Sequence, residues 1–309
     1  MVASPVPARV HILLARNAHT AVAIRRGPSK RVCVIGWDRA NDRFEVGQWL
    51  TGRIYERRCD LSPDGRHLIY FALNASRTAN AAGSSWTAIS RAPYLHAIGL
   101  WANDSGWNGG GVFLDDRRYW VNAFPFAHCE LRVPPGLEQS TAFPFSESFG
   151  GECPGIYYPR LQRDGWTLRG HERDAGGHGC SLFERALPRG WLLRKTAHAT
   201  IDHPVGKGVY FDTHELLQPN GELRVLDAWE WADWEPTQRR LVWIERGVLR
   251  SATLGKKELE GERAIHDFDP MRFEPLAAPY GDDGRPLVDG GAAAVRRRAR
   301  DKKSKARDR

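Results

Sequence analysis

Short apolar runs, cut at close intervals by glycine and proline, constrain this chain more than any other feature. With 31 glycines and 19 prolines among 309 residues, long uninterrupted elements have little room. The runs between the breakers are rich in β-branched and aromatic residues: "VHILLA", "TAVAIRR", "RVCVIGW", "RFEVGQWL", "HLIYFAL", "SWTAISR", "HAIGLW", "GVFL", "RYWVNAF", "GWTLR", "GWLLRK", "GVYFD", "ELRVLDAWEW" and "RLVWIE". Several alternate apolar and polar residues, which puts one set of side chains on each face of a strand. In "ELRVLDAWEW", Leu223, Val225 and Asp227 are expected on one face with Trp229 and Trp231. The best helical window, Lys256 to His266, is weakened by Gly261. "PDG" (63–65), "RDG" (163–165) and "PNG" (219–221) are hairpin candidates, because Asp-Gly and Asn-Gly tolerate positive φ. Many short strands separated by such turns predict an all-β fold, propeller-like with about six or seven short blades, or alternatively a β-sandwich or barrel. The all-β domain is expected over residues 1–280, and 281–309 as a flexible linker and disordered basic tail.

Two internal echoes refine this. "YPRLQRDGWTLR" (158–169) returns 25 residues later as "FERALPRGWLLR" (183–194), with Gly165-Trp166 facing Gly190-Trp191. The repeat suggests neighbouring hairpins, each turning on glycine to deliver a tryptophan into a seam between sheets. "DLSPDGRHLIYFA" from Asp60 and "DWEPTQRRLVWIE" from Asp233 both read Asp, two residues, Pro, four residues, then Leu, a β-branched residue and an aromatic. The first phrase resembles the WD40-like repeat of TolB-type and prolyl-oligopeptidase-type β-propellers, and the second is a degenerate copy. The resemblance covers about a dozen residues of each segment and implies the strand-turn-strand hairpin of a blade, not an activity.

The net charge of +8 is local. From Gly290 the chain carries nine Lys/Arg against two Asp, whereas residues 1–289 carry 36 basic and 35 acidic side chains. Arg296, Arg297, Arg298, Arg300, Lys302, Lys303, Lys305, Arg307 and Arg309 are therefore the candidate polyanion-binding residues, for nucleic acid or another acidic partner, with salt-sensitive binding. No apolar run reaches the ~20 residues of a membrane span. No secretory leader is recognised at the start. The five cysteines (33, 59, 129, 153, 180) are scattered without a CxxC and read as reduced thiols of a cytoplasmic protein. Each is expected as a small buried apolar residue, not a nucleophile.

Signatures of catalysis are few: no GxSxG, no phosphate loop ending in GK[ST], no HExxH and no GxGxxG after a strand. "WNGGGVF" (107–113) reads as a turn or bulge, Asp115-Asp116 as a hairpin turn, and Asp267 and Asp269 as a solvated strand end. His171, His178 and Cys180 in one glycine-rich loop are weak candidate metal ligands, with His128-Cys129 or Cys153 as possible completing groups. Trp229, Trp231, Trp234 and Trp243 are expected mainly as core, with one or two at a rim. No cofactor is implied. These features favour a non-catalytic binding or scaffold module with a protein partner. The alternatives are an enzyme or small-molecule binder using a central channel, where His96, His128, His171, His178, His203 or His214 would converge with Asp residues, and a nucleic-acid-associated protein.

Overall fold

The structure, a computed structural model, describes residues 7–27, 30–74, 82–103, 105–123, 128–173, 179–201, 203–204 and 207–287. The nine basic tail residues and His178 lie outside these residues. None of the described helices is long and apolar enough to cross a membrane.

The breakers fall where strands end. β1 (Arg9–Leu14), β2 (Thr20–Arg26), β3 (Arg31–Asp38) and β4 (Arg43–Thr51) form a first antiparallel sheet in chain order. The second contains β5 (Arg53–Ile54), β6 (Asp60–Leu61), β7 (His67–Leu73), β8 (Ser85–Arg91) and β9 (Ala97–Asn103). A small third sheet starts with β10 (Gly111–Phe113) and β11 (Arg118–Val121). The chain then returns to the edge of the second as β12 (His128–Arg132), and β13 (Glu138–Gln139) adds to β11 in parallel. After the helix α1 (Cys153–Arg163), a fourth sheet comprises β14 (Thr167–Arg173), β15 (Gly179–Ala186), β16 (Leu192–Ala199), β17 (Tyr210–Leu217) and β18 (Leu223–Val225). The fifth comprises β19 (Trp229–Glu235), β20 (Arg240–Glu245), β21 (Val248–Leu254) and β22 (Leu259–Asp267).

Among the described residues there are thus five sheets, not the six or seven expected, and none closes into a barrel. Between β12 and β14 the described residues 133–137 and 140–152 are irregular and Cys153–Arg163 form a helix, which leaves fewer strands there than the short apolar runs predict.

Each sheet touches the next. β1 and β3 meet β6 and β5, β10 meets β6 and β7, α1 bridges β10 to β14, β17 meets β19, and β19 returns to β1. Apolar seams fill the junctions between the first and second, second and third, fourth and fifth, and fifth and first sheets, while α1 stands between the third and fourth. Val10, Ile12 and Trp37 pack with Trp231, Val242 and Ile244 of the fifth sheet. On the other side, Leu13, Val22 and Val34 pack with Leu61, Leu68 and Tyr70 of the second. Ala21 and Ala23 of β2 face one seam while Val22 and Ile24 face the other, which is why "TAVAI" is continuously apolar rather than alternating. Fully burying one large apolar side chain in such a seam contributes roughly 1.5–3 kcal/mol. The first and last sheets are also tied by polar contacts: Ala8 N donates to Asp269 Oδ1 (2.6 Å), Arg25 Nε to Phe268 O (3.0 Å), and buried Glu235 pairs with Arg39 at 3.2 Å.

The Asp60 and Asp233 echoes form hairpins in one register. Asp60 faces Ile69 and Leu61 faces Leu68, just as Asp233 faces Val242 and Trp234 faces Leu241. In the first turn Ser62 Oγ donates to Asp64 Oδ1 (2.6 Å), and Gly65 adopts φ +73°, a left-handed conformation that favours glycine.

The 25-residue echo behaves differently: Tyr158 lies in α1 whereas Phe183 lies in β15, so its two copies are not one structural unit. Only the Gly-Trp halves correspond. Gly165 and Gly190 have φ of +94° and +80°, and Trp166 and Trp191 enter the same cluster with α1 and the fifth sheet. "RDG" at 163–165 is accordingly the end of a helix, not a hairpin.

The helix was hidden by Pro154, Gly155 and Pro159. Pro154 suits the first turn, where its missing N–H is no loss. Pro159 lies inside the helix, and burial of eight of the eleven residues outweighs its poor propensity. Conversely, the helical window at Lys256–His266 is occupied by β22, with Gly261 at φ +62°. "ELRVLDAWEW" is split between β18 and β19, in different sheets. Gly109 and Gly110 have φ of +109° and +79°, and a Cβ on Gly110 would collide with the Arg58 carbonyl, so "WNGGGVF" is a turn under close backbone approach. Asp115 Oδ1 accepts from Arg117 N (2.9 Å) and Arg118 N (2.7 Å), as a hairpin turn requires. Asp267 Oδ1 likewise caps Asp269 N at 2.9 Å. Residues 281–287, within the expected linker, form a turn in which Gly281 N donates to Arg285 O (3.0 Å) and Asp282 pairs with Arg132 at 2.7 Å.

Candidate functional site

The first, second, fourth and fifth sheets and α1 converge on a cavity of about 350 Å³. Its wall carries six cationic side chains (Arg16, Arg39, Arg160, Arg163, Arg185, Lys195) and three carboxylates (Asp60, Asp164, Asp233), with Trp231 and Trp234 as apolar rim. Trp229, Trp231 and Trp243 are buried, so this group is core with two rings at the cavity.

The carboxylates of the wall are already engaged. Arg163 holds Asp60 in a bidentate pair (2.6 and 2.9 Å) and also reaches Asp164 at 2.8 Å. Burial alone would push the Asp60 carboxyl up; the charge and hydrogen bonds of Arg163 outweigh it and hold the group below the usual carboxylate value. Arg185 pairs with Asp233. Arg39 pairs with Glu235, which stands behind the wall. The two echoed aspartates thus occupy equivalent hairpin positions, and each is tied to an arginine.

Arg16, Arg160 and Lys195 differ: among the described residues none of the three has a carboxylate at ion-pair distance. Arg16 Nη2 donates to Phe113 O at 3.2 Å. Arg160 donates to the Cys59 carbonyl and, at 3.0 Å, to His11 Nε2. Since a guanidinium only donates, His11 Nε2 is the bare acceptor and the ring is neutral. Burial, then the charges of Arg160, Lys195 and Arg57, hold His11 well below the usual histidine range.

Lys195, 1% exposed, comes from β16, where it shares the inward parity with Leu193 and Ala197. Its Nζ donates to Tyr157 Oη at 3.3 Å, and Tyr157 in turn donates to Asp212 Oδ2 at 2.6 Å. Nζ also sits 4.5 Å from the Trp166 ring centroid. Arg57 Nη2 lies 2.9 Å from Asp212 Oδ1, an ion pair whose angle does not make it a hydrogen bond. Burial lowers the Lys195 ammonium from its ordinary value, against the opposing charges of Asp212 and Asp233. Burial raises the Tyr157 phenol well above its own, with the Asp212 charge adding to it.

His11 also lines a second cavity of about 250 Å³, with Arg57, Asp212, Lys207 and Glu230.

Of the histidines expected to converge in an enzyme, only His214 among the described ones joins this cluster: it faces Lys195 across β16 and β17, and its Nδ1 lies 3.1 Å from Trp229 O. Burial pushes it down to about 3. His96 pairs with Asp282 at 2.9 Å, and His203 is exposed beside Pro204. The metal suggestion is not supported where the residues are described. His171 faces Ser181 while Cys180 faces Glu172, which puts the two would-be ligands on opposite faces of the β14–β15 pair. Cys129 is exposed on β12, and Cys153 is buried in α1. Among the described residues no three His, Cys, Asp or Glu side chains form a metal-holding group. All five cysteines are free; Cys33, Cys59 and Cys153 are buried as expected, with thiols pushed up by burial, whereas Cys129 and Cys180 are not buried.

No family model and no curated protein matches the chain. A solved structure of a luciferin-regenerating enzyme aligns at 8% identity with a TM-score of 0.19, over 87% of this chain and 63% of that one. This chain therefore spans less than two thirds of that protein, and a likeness of this size bears on neither fold nor function.

Proposed function

We propose that the five sheets are blades of a propeller-like ring and that the cavity among them binds a small anionic molecule. The order of sheet contacts supports the ring, since each sheet meets its successor in the chain, the third and fourth through α1, and the last meets the first. The Asp60 and Asp233 hairpins, alike in register, support reading them as two copies of a WD40-like blade hairpin.

The observation that carries the binding reading is charge. Three cations, Arg16, Arg160 and Lys195, line one cavity without carboxylate partners among the described residues. Burying charge without a counter-ion is costly, and an anionic ligand removes the cost. Calorimetric titration with inorganic phosphate and with dicarboxylates tests it. Saturable, salt-weakened binding is expected, and Arg16→Ala at the exposed mouth should weaken it about tenfold or more, the size of a lost charged hydrogen bond. Absence of any anion-dependent heat or thermal stabilisation would refute the reading.

The scaffold function is tested at the exposed aromatics Trp107 and Phe143, 68% and 44% exposed. Co-purification from native cells with wild type, Trp107→Ala and Phe143→Ala checks it; a partner retained equally by all three excludes both positions as its binding site. Polyanion binding by the tail falls outside the described residues, and deleting 290–309 should abolish retention on nucleic acid at low salt.

A further inference from the structure

A lysine can be buried for packing, with its charge matched by a neighbouring carboxylate. Lys195 is not arranged that way. Its amine ends on the wall of the cation-rich cavity with no carboxylate at ion-pair distance among the described residues, and it donates to the hydroxyl of Tyr157. Asp212, the nearest carboxylate in the hydrogen-bond chain, is committed to Tyr157 and Arg57. Arg57 and Arg160 approach from the neighbouring turn and helix, and His214 and His11 from β17 and β1 are held neutral. Burial acts most strongly on the Lys195 amine and outweighs the charges of Asp212 and Asp233, with Arg57 and Arg160 reinforcing it; a desolvated lysine beside other cations loses its proton more readily and becomes nucleophilic.

We infer that Lys195 is an amine nucleophile that forms an imine with a carbonyl-bearing anion held in this cavity, such as a 2-oxo acid or a phosphorylated aldehyde. The inference rests on the anion-binding reading above and deepens it. The lone pair of the neutral Nζ attacks the carbonyl carbon, and the carbonyl π pair moves onto oxygen. Tyr157, 3.3 Å from Nζ, gives a proton to that oxygen and takes one from nitrogen. The second amine proton also passes to the oxygen, the C–O bond breaks, and water leaves as C=N forms. The phenolic proton leaves its bond to Asp212 for that exchange, Asp212 holds the phenol before and after it, and Arg160 and Arg16 hold the anionic group of the carbonyl compound. Trp166 stacks over the nitrogen and stabilises positive charge on a protonated imine.

The experiment incubates the full chain with pyruvate, 2-oxoglutarate or pyridoxal 5′-phosphate, each with and without sodium borohydride, followed by peptide mapping and parallel calorimetry. The expected result is a borohydride-stable adduct concentrated on Lys195, suppressed by excess inorganic phosphate and absent in Lys195→Arg. Tyr157→Phe should bind the probe but label at least tenfold more slowly, which a purely structural tyrosine would not do. Probe binding without an adduct on Lys195, or labelling spread evenly over Lys30, Lys256 and Lys257, overturns the imine and leaves the anion site standing. Neither binding nor adduct overturns both.

Discussion

Trp229 and Trp243 stack at 4.4 Å in the seam between the fourth and fifth sheets, among apolar neighbours and Trp191, whose Nε1 is satisfied by Gly255 O. Lys195 and Asp212 belong to the same fourth sheet and are as deeply buried, yet Lys195 carries charge into the wall of the first cavity and Asp212 into that of the second. The seam gains from apolar burial, although Trp166 Nε1 and Trp243 Nε1 are buried without a hydrogen-bond partner among the described residues. The polar cluster costs stability at Lys195, because burial of its ammonium is only partly offset by the charges of Asp212 and Asp233. The difference teaches which part of the molecule holds it together and which part the fold must carry: the tryptophan seams supply the stability that the charged cavity consumes.

Three measurements test this contrast. The largest effect is expected from Trp243→Ala, which opens a cavity in a seam and should cost about 3–5 kcal/mol in urea unfolding. A smaller value would mean that the seam does not dominate stability. Next comes acid. His214, down at about 3 when folded and near 6.5 when unfolded, leaves the unfolded chain holding the extra proton between those values. Stability therefore falls as pH drops below about 6.5, by about 2 kcal/mol on reaching about pH 5 from this one ring. The Asp60 and Asp212 carboxyls, held low, add their loss only at more acid pH. His214→Gln should flatten the pH 6.5 to 5 slope by about that amount; an unchanged slope shows that the ring does not titrate as described. The smallest effect on stability is expected from Lys195→Met, which replaces a buried charge by an apolar chain of similar reach and should lie within about 1 kcal/mol of wild type or above it. The same variant should lose phosphate binding. If it destabilises as much as Trp243→Ala, the cluster is part of the framework and the contrast collapses.

Much of the strand framework was legible because β-branched and aromatic runs between breakers permit little else. The missed helix was illegible because its evidence is tertiary: Cys153–Arg163 carries two prolines and a glycine and is stabilised by what surrounds it. The site left a trace that could have been read. In "LLRKTAHA" Lys195 takes the parity of Leu193 and Ala197, and in "YFDTHELL" Asp212 and His214 take that of Leu216. Charged groups at inward positions of an alternating strand are a signal of a buried polar cluster. Attention went instead to the histidines and cysteine of the 170–180 loop, where residue type suggested metal but register separates the ligands. His11, one polar residue in an apolar strand, gave no sign of Arg160.

Local alternation and turn chemistry determined that the chain is all-β, where many of its hairpins turn, and that Asp60 and Asp233 open equivalent ones, since these depend only on neighbours within a few residues. Which strands share a sheet, that residues 153–163 coil, and that Lys195, Tyr157 and Arg160 meet at one cavity with Asp212 behind Tyr157 were decided by tertiary structure. Those contacts join residues up to 149 positions apart, as His11 and Arg160 are, and their free energy exists only once the sheets have packed and excluded water.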